Sequence, residues 1–373
     1  MNVIFTCGGT GGHVNPAIAV ANIWKERHPD SKILFVGGKG GMEELLVPKA
    51  GYELITLPAD GLIRSKSPKA MLKNAKILFR LLRTIFRCKK IMREFKPAVV
   101  VGTGGYASFP ALLAASKLKI PTCVHEANAM PGVTTRMLAD KVDRVLVCFP
   151  ESAHHYRNPD KVEVVGMPVH RDFIFAKREN ARKELGLDSR PLVVSAFGSQ
   201  GAKAMNEVIA DLFSLEQKAD FPFRHIHAVG SYGWSWMPDL VKQKGIDMDS
   251  CPQITMQEYI YNMPTMMAAA DIIISRAGAS SCNEIAASGT PCILIPSPNV
   301  TDNHQEKNAR ALERAGGAYV LLEKDCTAQE LMDTISKLLN DPSRCVQMRT
   351  ALHSISVPDS AERLCAIMES LCK

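Results

Sequence analysis

The residues best able to do chemistry lie in four glycine-rich turns, each of which follows a short apolar run. The first reads Gly-Gly-Thr-Gly-Gly-His at residues 8–13, and the others cover residues 102–106, 198–201 and 276–281. Glycine lets backbone N–H groups approach a ligand closely. The N-terminus of a following helix attracts negative charge. One such turn could serve tight packing alone, but four at equivalent positions predict a protein that holds phosphates.

The turns do not predict NAD binding or ATP hydrolysis. A dinucleotide-binding turn built on Gly9 and Gly11 would need a third glycine where Val14 stands. None of the four turns ends in the Gly-Lys-Ser/Thr of a nucleotide triphosphatase loop. The phosphate-bearing ligand is therefore expected to be of another kind.

Two polar groups in the first half are candidates for a functional site. His13 is expected at the start of the first helix, where the positive helix end disfavours the charged imidazole and favours a neutral base. The run His-Glu-Ala-Asn at residues 125–128 follows a predicted strand. It could bind the hydroxyls of a sugar, or Asn128 could simply cap a helix.

Carboxylate and amide groups follow the last turn in the second half. Glu284 is expected in the first turns of a helix, where its carboxylate could accept two ribose hydroxyls or simply stabilise the helix dipole. A further polar cluster could recognise sugar hydroxyls or form a solvated loop. Its members are Asp302, Asn303, His304, Gln305 and Asn308.

Short continuous apolar runs alternate with helical segments along the chain. Continuous runs are typical of parallel strands buried on both faces. The alternation predicts an α/β fold of two doubly wound, Rossmann-like parallel-sheet domains that face each other across a cleft. The predicted strands are residues 2–7, 32–36, 98–101, 122–125, 144–147 and 162–165, then 192–196, 224–229, 254–256, 271–275, 291–295 and 318–321.

The domain boundary is predicted in the Val-Gly-Met-Pro-Val run at residues 165–169. This gives an N-terminal domain of residues 1–165 and a C-terminal domain of residues 166–357. A last helix at about 358–373 is expected to pack back on the first domain. Ligands of parallel sheets bind beyond the carboxyl ends of the strands, so the substrate is expected in the cleft.

Composition places the chain among soluble globular proteins of two domains. It has 373 residues, 46% hydrophobic and 22% charged. No apolar stretch is long enough to span a membrane, and the chain opens as a strand without a cationic leader, so no secretory signal is predicted. Its 11 cysteines contain no Cys-x-x-Cys pair. Reduced thiols without a zinc site are expected.

The net charge of +7 is concentrated in one segment. Twelve basic residues and a single acid, Glu94, lie between Arg64 and Lys96, and apolar residues recur among them at three- and four-residue spacing. A basic amphipathic helix at residues 67–96 is predicted, which suits an anionic membrane surface. Alternatively, the helix packs on the first sheet with a solvated basic face. Nucleic acid is not expected, because aromatic residues are sparse and no recognition motif is present.

Taken in order, these motifs resemble the MurG family of membrane-associated glycosyltransferases over nearly the whole length. The matching signatures are Gly-Gly-Thr-Gly-Gly-His-Val-x-Pro at 8–16, Gly-Gly-Tyr at 104–106, His-Glu-x-Asn at 125–128, Gly-Ser-Gln-Gly-Ala at 198–202, Arg-x-Gly-Ala at 276–279 with Glu284, and Asp-x-x-Gln at 302–305 with Asn308. Their common order makes the resemblance specific.

The resemblance implies a GT-B fold and an inverting transferase that needs no metal or cofactor. It would move N-acetylglucosamine from UDP-N-acetylglucosamine to the C4 hydroxyl of the muramyl sugar of lipid I, giving lipid II for peptidoglycan. The N-terminal domain would hold the acceptor and the C-terminal domain the UDP, at the cytoplasmic face of the bacterial plasma membrane. Alternatives are another GT-B enzyme, such as a UDP-sugar epimerase or a glycolipid synthase, and a non-catalytic nucleotide-sugar-binding protein.

The resemblance also implies roles for individual residues. His13 is the family's candidate base, with Glu126 as rival. The family's Gly-Asn-Pro-Val-Arg stands here as Gly-Met-Pro-Val-His at 166–170, so Arg171 is expected to supply the arginine contact to the donor phosphate. The other implied substrate contacts are Thr10, Gly11 and Gly12 to diphosphate and sugar, Tyr106 and Asn128 to sugar or acceptor, Ser199 and Ala279 in the donor loops, Ile260 to uracil, Glu284 to ribose, and Gln305 to the sugar hydroxyls.

Overall fold

The computed structural model describes residues 1–58, 67–248 and 250–372 of the chain. The chain divides into two units by its internal contacts. The first unit consists of Met1–Val169 together with Val357–Lys373, and the second unit of His170–Ser356. The chain therefore leaves the first unit once and returns to it for its last residues.

Each unit is built on one parallel sheet. Within the described ranges the first sheet has seven strands in the order β3-β2-β1-β4-β5-β6-β7, and the second has six in the order β10-β9-β8-β11-β12-β13. The strands are β1 (Val3–Thr6), β2 (Ile33–Gly38), β3 (Glu53–Leu57), β4 (Val99–Gly102), β5 (Thr122–Glu126), β6 (Arg144–Val147), β7 (Val162–Val164), β8 (Leu192–Ala196), β9 (Arg224–Ala228), β10 (Ile254–Gln257), β11 (Ile272–Ser275), β12 (Cys292–Leu294) and β13 (Ala318–Val320).

α-Helices connect successive strands except β6 and β7, because parallel neighbours need a crossover. They are α1 (Gly11–Arg27), α2 (Glu43–Lys49), α3 (Pro68–Phe95), α4 (Ser108–Lys117), α5 (Val133–Leu138), α6 (Arg171–Phe175), α7 (Arg178–Glu184), α8 (Lys203–Lys218), α9 (Met237–Gln243), α10 (Met263–Ala269), α11 (Ala279–Ser288), α12 (His304–Arg314), α13 (Ala328–Leu339), α14 (Pro342–Ile355) and α15 (Ser360–Leu371). Short 3-10 turns cover Pro150–His155, Pro159–Lys161, Thr301–Asn303 and Glu323–Asp325.

The predicted α/β class and the two parallel sheets are confirmed, and one strand was missed. β3 lies at the edge of the first sheet and, among the described strands, pairs with β2 alone. Its sequence is Glu-Leu-Ile-Thr-Leu, and most of its residues remain partly exposed. An edge strand needs no continuous apolar run, because one side is not covered by another strand. Continuous apolar runs therefore do not reveal this strand.

The basic segment forms the long helix α3. Fewer of its apolar side chains are buried against the sheet than their three- and four-residue spacing predicts. Ile85, Cys88 and Met92 are buried against the first sheet, in a core shared with Ile4 and Val100. The side chains of Leu78, Phe79, Leu82 and Phe86 are exposed. Both of the predicted features, packing on the sheet and an outward apolar surface, occur on this helix. No helix within the described ranges is long and apolar enough to cross a membrane.

The C-terminal helix α15 belongs to the core of the first unit. Leu364, Cys365 and Met368 are buried in the same cluster as Val20 and Trp24 of α1. The Cys365 thiol donates a hydrogen bond to the Val20 carbonyl at 3.5 Å. At the helix end His28 and Arg27 contact Glu369. The last helix thus completes one face of the sheet that carries the first glycine turn.

Candidate functional site

The turns after β1, β4 and β5 meet at one edge of the first sheet, because these three strands are neighbours. The turn after β1 leads into α1, and the turn after β4 leads into α4. The Thr103 hydroxyl donates to the His13 carbonyl at 2.6 Å, and the Ser108 hydroxyl donates to the Thr6 carbonyl at 2.9 Å. These bonds fix the two glycine turns against each other.

His13 lies in the first turn of α1 with its ring held on two sides. Its Nδ1 is 3.1 Å from the Gly8 carbonyl oxygen. A carbonyl can only accept, so Nδ1 carries the hydrogen in this contact and the neutral ring leaves Nε2 as the proton acceptor. A Cβ on Gly104, which has φ +115°, would lie 2.5 Å from the His13 Cδ2. Glycine at 104 therefore leaves the room that the ring occupies.

Thr10, Gly11 and Gly12 form the beginning of α1. Thr10 is the N-cap in an extended conformation, and its side chain makes no capping hydrogen bond to the described residues. Its hydroxyl lies 3.5 Å from the His13 Nδ1. The first turn of a helix leaves backbone N–H groups without intrahelical partners. These three residues therefore present a polar, electropositive helix end beside His13.

Glu126 is buried and its carboxylate shapes the loop that follows β5. Oε1 accepts from the backbone and the side-chain nitrogens of Asn128, each at 3.0 Å. Oε2 accepts from the Gly132 backbone at 2.9 Å. Both oxygens are used to position Asn128 and the loop. This geometry favours His13 over Glu126 as the proton acceptor.

The remaining aromatic and imidazole groups of this edge differ in accessibility. Tyr106 is 63% exposed on the turn after β4. His125 is buried at the end of β5, where its Nε2 is 2.9 Å from the Gly166 carbonyl. Burial lowers the pKa of His125. His125 thus supports the fold, whereas Tyr106 is available to a ligand.

A buried carboxylate that was not anticipated lies behind the first turn. Glu43 begins α2 and is fully buried. Its Oε2 accepts from the Gly9 backbone at 2.9 Å and its Oε1 from the Gly38 backbone at 2.8 Å. In sequence, a glutamate in the first turn of a helix is ordinary. The signal that could have revealed it is the set of glycines around it, at positions 8, 9, 37, 38 and 41.

In the second unit, the turn after β8 is fastened to the turn after β9. The Ser231 N–H donates to the Ser199 carbonyl and the Tyr232 N–H donates to the Gln200 carbonyl, both at 3.2 Å. A Cβ on Gly230 would lie 2.1 Å from the Gly201 nitrogen, so the two backbones touch. Ser199 itself is exposed at the tip of this turn. The donor loop predicted around Ser199 is therefore rigid at its base and open at its tip.

Glu284 lies two turns into α11, close to the end of β10. Burial raises the pKa of its carboxyl to about 7. Burial and then the negative charge of Glu284 raise the pKa of Tyr259, which follows β10. Ile260 is only 2% exposed. Its side chain is therefore closed to a ligand, and the uracil contact implied by the resemblance stays a prediction for its backbone.

The start of α11 is open to a ligand. Ala279 is the first helical residue, and its N-cap Gly278 has an extended conformation. Apart from its two neighbours in the chain, no described residue has an atom within 4 Å of the position that a Cβ on Gly278 would take. Free space at the positive end of a helix is suited to a phosphate.

Gln305 is held near the end of β12. Two other residues of the sequence motifs, Arg276 and Asn308, stabilise the loops. The Gln305 Oε1 accepts from the Ser297 backbone at 2.9 Å, which orients its amide. Arg276 pairs with Glu323, and its Nη1 donates to the Ile295 carbonyl at 3.1 Å. Asn308 is buried and donates to the Ala277 carbonyl at 3.2 Å. The side chains of Arg276 and Asn308 brace the loops.

Arg171 lies on a short helix that packs against α10 and α11. It is the exposed first residue of the short helix α6, where the His170 Nδ1 accepts from the Asp172 backbone at 3.3 Å. The other implied contacts of the second unit, at Ser199, Ile260, Ala279 and Gln305, follow the carboxyl ends of neighbouring strands. A donor contact by Arg171 stays a prediction.

Two parallel α/β units with glycine turns at the carboxyl ends of their strands form the architecture of the GT-B fold, and the family models identify the chain as a glycosyltransferase. Residues 3–147 match the glycosyltransferase family 28 N-terminal domain, and residues 192–364 match the glycosyltransferase family 28 C-terminal domain. Together these matches cover most of both units.

The relatives narrow the family further. A protein of Acetivibrio thermocellus is 41% identical over 374 residues, covering 100% of this chain and 99% of that protein. One of Caldanaerobacter subterraneus is 40% identical over 372 residues, covering 100% of both. Each is named UDP-N-acetylglucosamine–N-acetylmuramyl-(pentapeptide) pyrophosphoryl-undecaprenol N-acetylglucosamine transferase. The chain belongs to this family of transferases, the MurG family.

Solved structures agree with this assignment. The crystal structure of Acinetobacter baumannii MurG matches with a TM-score of 0.76 and 25% identity, covering 99% of each chain. A UDP-GlcNAc 2-epimerase from Neisseria meningitidis, bound to UDP-GlcNAc, matches with a TM-score of 0.66 and 16% identity, covering 99% of this chain and 100% of that one. The second likeness shows a shared fold alone.

Proposed function

We propose that this chain transfers N-acetylglucosamine from UDP-N-acetylglucosamine to the C4 hydroxyl of the muramyl sugar of lipid I, forming lipid II. The observation that carries the chemistry is the His13 ring, held by the Gly8 carbonyl so that Nε2 is the proton acceptor. The full-length relatives at 40–41% identity supply the substrate class.

The reaction is a single displacement. The His13 Nε2 takes the proton of the acceptor hydroxyl while that oxygen forms a bond to the anomeric carbon of the sugar. The bond from the anomeric carbon to the diphosphate oxygen breaks, and UDP leaves with the electron pair. Attack opposite the leaving group inverts the anomeric centre.

The second unit supplies the groups that hold UDP. Glu284 accepts the ribose hydroxyls, and the amides of the Ser199 turn and of the α11 start surround the diphosphate. Developing charge on the leaving group is stabilised by preorganised N–H groups at helix ends. The Gln305 amide, which is oriented by the backbone N–H of Ser297, binds the transferred sugar.

Purified protein with labelled UDP-N-acetylglucosamine and a short-chain lipid I analogue tests the proposal. Transfer of the label to the muramyl sugar, with release of UDP, is expected. Absence of transfer in detergent and in vesicles would reject the proposed acceptor. Conversion of UDP-N-acetylglucosamine without any acceptor would instead favour an epimerase.

We also propose that this chain works at the cytoplasmic face of the plasma membrane, bound as a peripheral protein through α3. Four large apolar side chains of α3 are exposed, and Phe86 is 70% exposed. Arg83 and Arg87, each of which directly follows one of these side chains, are exposed as well. An apolar patch with a cationic border favours the headgroup region of anionic lipid. The side chains of residues 68–73 and 75 lie outside the described part, including those of Lys69 and Lys73.

Replacing Leu82 and Phe86 by serine should weaken binding to vesicles of phosphatidylglycerol and phosphatidylcholine by at least about tenfold, because burial of each side chain in lipid is worth about 1.5–3 kcal/mol. Vesicle co-sedimentation measures the effect. Phe175→Ser is the matched control, because Phe175 is 69% exposed on a different helix, α6. Equal binding of all three proteins would exclude α3 as the membrane contact.

A further inference from the structure

The peptide group between Gly8 and Gly9 is held from both sides. Its N–H, on Gly9, donates to the Glu43 Oε2 at 2.9 Å. Its carbonyl, on Gly8, is 3.1 Å from the His13 Nδ1. One amide therefore stands between a buried carboxylate and the imidazole of the proposed base.

The Glu43 carboxylate is built into this position. It is fully buried, and its other oxygen accepts from the Gly38 backbone at 2.8 Å. A Cβ on Gly8 would lie 2.5 Å from Oε1, and one on Gly41 would meet Oε2 still more closely. Burying a carboxylate is costly unless hydrogen bonds compensate. A side chain enclosed in this way by two strand-to-helix turns has a single available orientation.

Hydrogen bonds in a chain polarise one another. A carboxylate that accepts from the N–H of an amide draws that hydrogen and increases the negative charge on the carbonyl oxygen of the same amide. The oxygen then binds the His13 Nδ1–H more strongly, which favours the tautomer with a free Nε2. A carboxylate in direct contact with imidazole does the same in catalytic triads.

We infer that Glu43 is a positioning residue for the transferase reaction, which acts on His13 through the Gly8–Gly9 peptide. The carboxylate, the peptide and the imidazole form a relay that orients the ring and strengthens Nε2 as the acceptor of the substrate proton. This inference rests on the proposed function only in taking His13 as the base. The relay itself is a feature of the first unit.

Glu43→Gln keeps the shape of the side chain and removes its charge. We expect kcat to fall on the order of tenfold, less than the about 10⁴-fold of a direct carboxylate–imidazole contact. The affinity for UDP should stay within about twofold, since its proposed site is in the second unit. Glu44→Gln is the matched control, because Glu44 is the next residue and is exposed.

A double-mutant cycle with His13→Ala distinguishes an effect of Glu43 through His13 from an effect of Glu43 on the stability of the fold. If Glu43 acts through His13, Glu43→Gln should add almost nothing to the loss caused by His13→Ala. Fully additive losses, or unchanged turnover in Glu43→Gln, would overturn the inference. Loss of UDP binding and of turnover together would also overturn it, by making Glu43 a residue of general stability.

The tautomer of His13 can be observed without turnover. Nitrogen-15 chemical shifts of His13 should report Nδ1–H and a free Nε2 in the wild type, and a mixture of tautomers in Glu43→Gln. Unchanged shifts would contradict the relay. If the wild type transfers no sugar while the shifts respond as expected, the proposed function fails and the relay stands.

Discussion

His13→Ala is expected to lower kcat by about 10²–10⁴-fold, the contribution of a positioned general base. The ring is the group whose Nε2 is left as a proton acceptor by the Gly8 carbonyl. A substituted methyl group cannot take the proton of the acceptor hydroxyl. Steady-state kinetics with the lipid I analogue, over a range of UDP-N-acetylglucosamine concentrations, measures the loss.

The pattern of the loss matters as much as its size. UDP affinity, measured by calorimetry, should be preserved in His13→Ala, because the groups proposed to hold UDP lie in the second unit. Glu126→Gln is the informative comparison. Its carboxylate accepts three hydrogen bonds from Asn128 and Gly132. If Glu126→Gln abolishes the acidic limb of the pH–rate profile and His13→Ala does not, Glu126 is the base instead.

Glu284→Gln is expected to weaken UDP binding by about 10- to 100-fold near pH 8, since hydrogen bonds to a charged group are worth about 1.5–3 kcal/mol. Burial raises the pKa of the Glu284 carboxyl to about 7 in the unliganded protein. The ionised form is the one proposed to accept both ribose hydroxyls. UDP affinity of the wild type should therefore rise as pH increases through about 7 and fall as pH decreases below it.

The same substitution should have the opposite effect on stability. When folding raises the pKa of a carboxyl, its contribution to the stability of the folded state is complete only at pH values below the pKa in the unfolded chain. For Glu284 this contribution is lost as the pH rises through about 7. Glu284→Gln should thus increase the free energy of unfolding above pH 7, by about 2 kcal/mol after allowance for partial exposure of the side chain. Thermal unfolding at both ends of the pH range measures it.

The phosphate groups of UDP also titrate and contribute to the pH dependence of binding. Glu284→Gln separates the two contributions, because it removes only that of the carboxyl. The phosphate ionisation near pH 6 should persist in Glu284→Gln, while the component near pH 7 should disappear. Identical pH profiles for the two proteins would exclude Glu284 as the ribose contact. A variant that is no more stable above pH 7 would contradict the cost of burying its charge.

Sequence alone predicted the sheets well because parallel strands carry their signal locally. The continuous apolar runs located twelve of the thirteen strands in the described part of the chain, and the glycine turns fell at the carboxyl edges where ligands bind. β3 was not predicted, because an edge strand tolerates polar residues.

The spacing of apolar residues also did not predict which face of α3 is buried, because these residues extend around more than one side of the helix. Ile85 and Met92 pack inward because they contact the first sheet, which is seen only in the folded structure.

Polar groups inside the core were beyond local inference. Glu43 finds its partners in the turns after two different strands. In the second unit the Ser195 hydroxyl lies 2.7 Å from both the His225 Nε2 and the His227 Nδ1. Burial lowers the pKa of His227 to about 3. In the sequence, such polar residues look like surface residues or candidates for a functional site. Their hydrogen-bond partners are distant in the sequence, so only the folded structure shows them.

The return of the chain to its first unit makes the second unit an insertion. Its residues are continuous from His170 to Ser356, whereas the first unit is assembled from two separated stretches. A chain truncated after residue 356 would keep every residue of the second unit, yet it would uncover Val20 and Trp24, which α15 covers in the first. Residues after 356 therefore complete the hydrophobic core of the unit that begins the chain, and a truncation there should destabilise the first unit rather than the second.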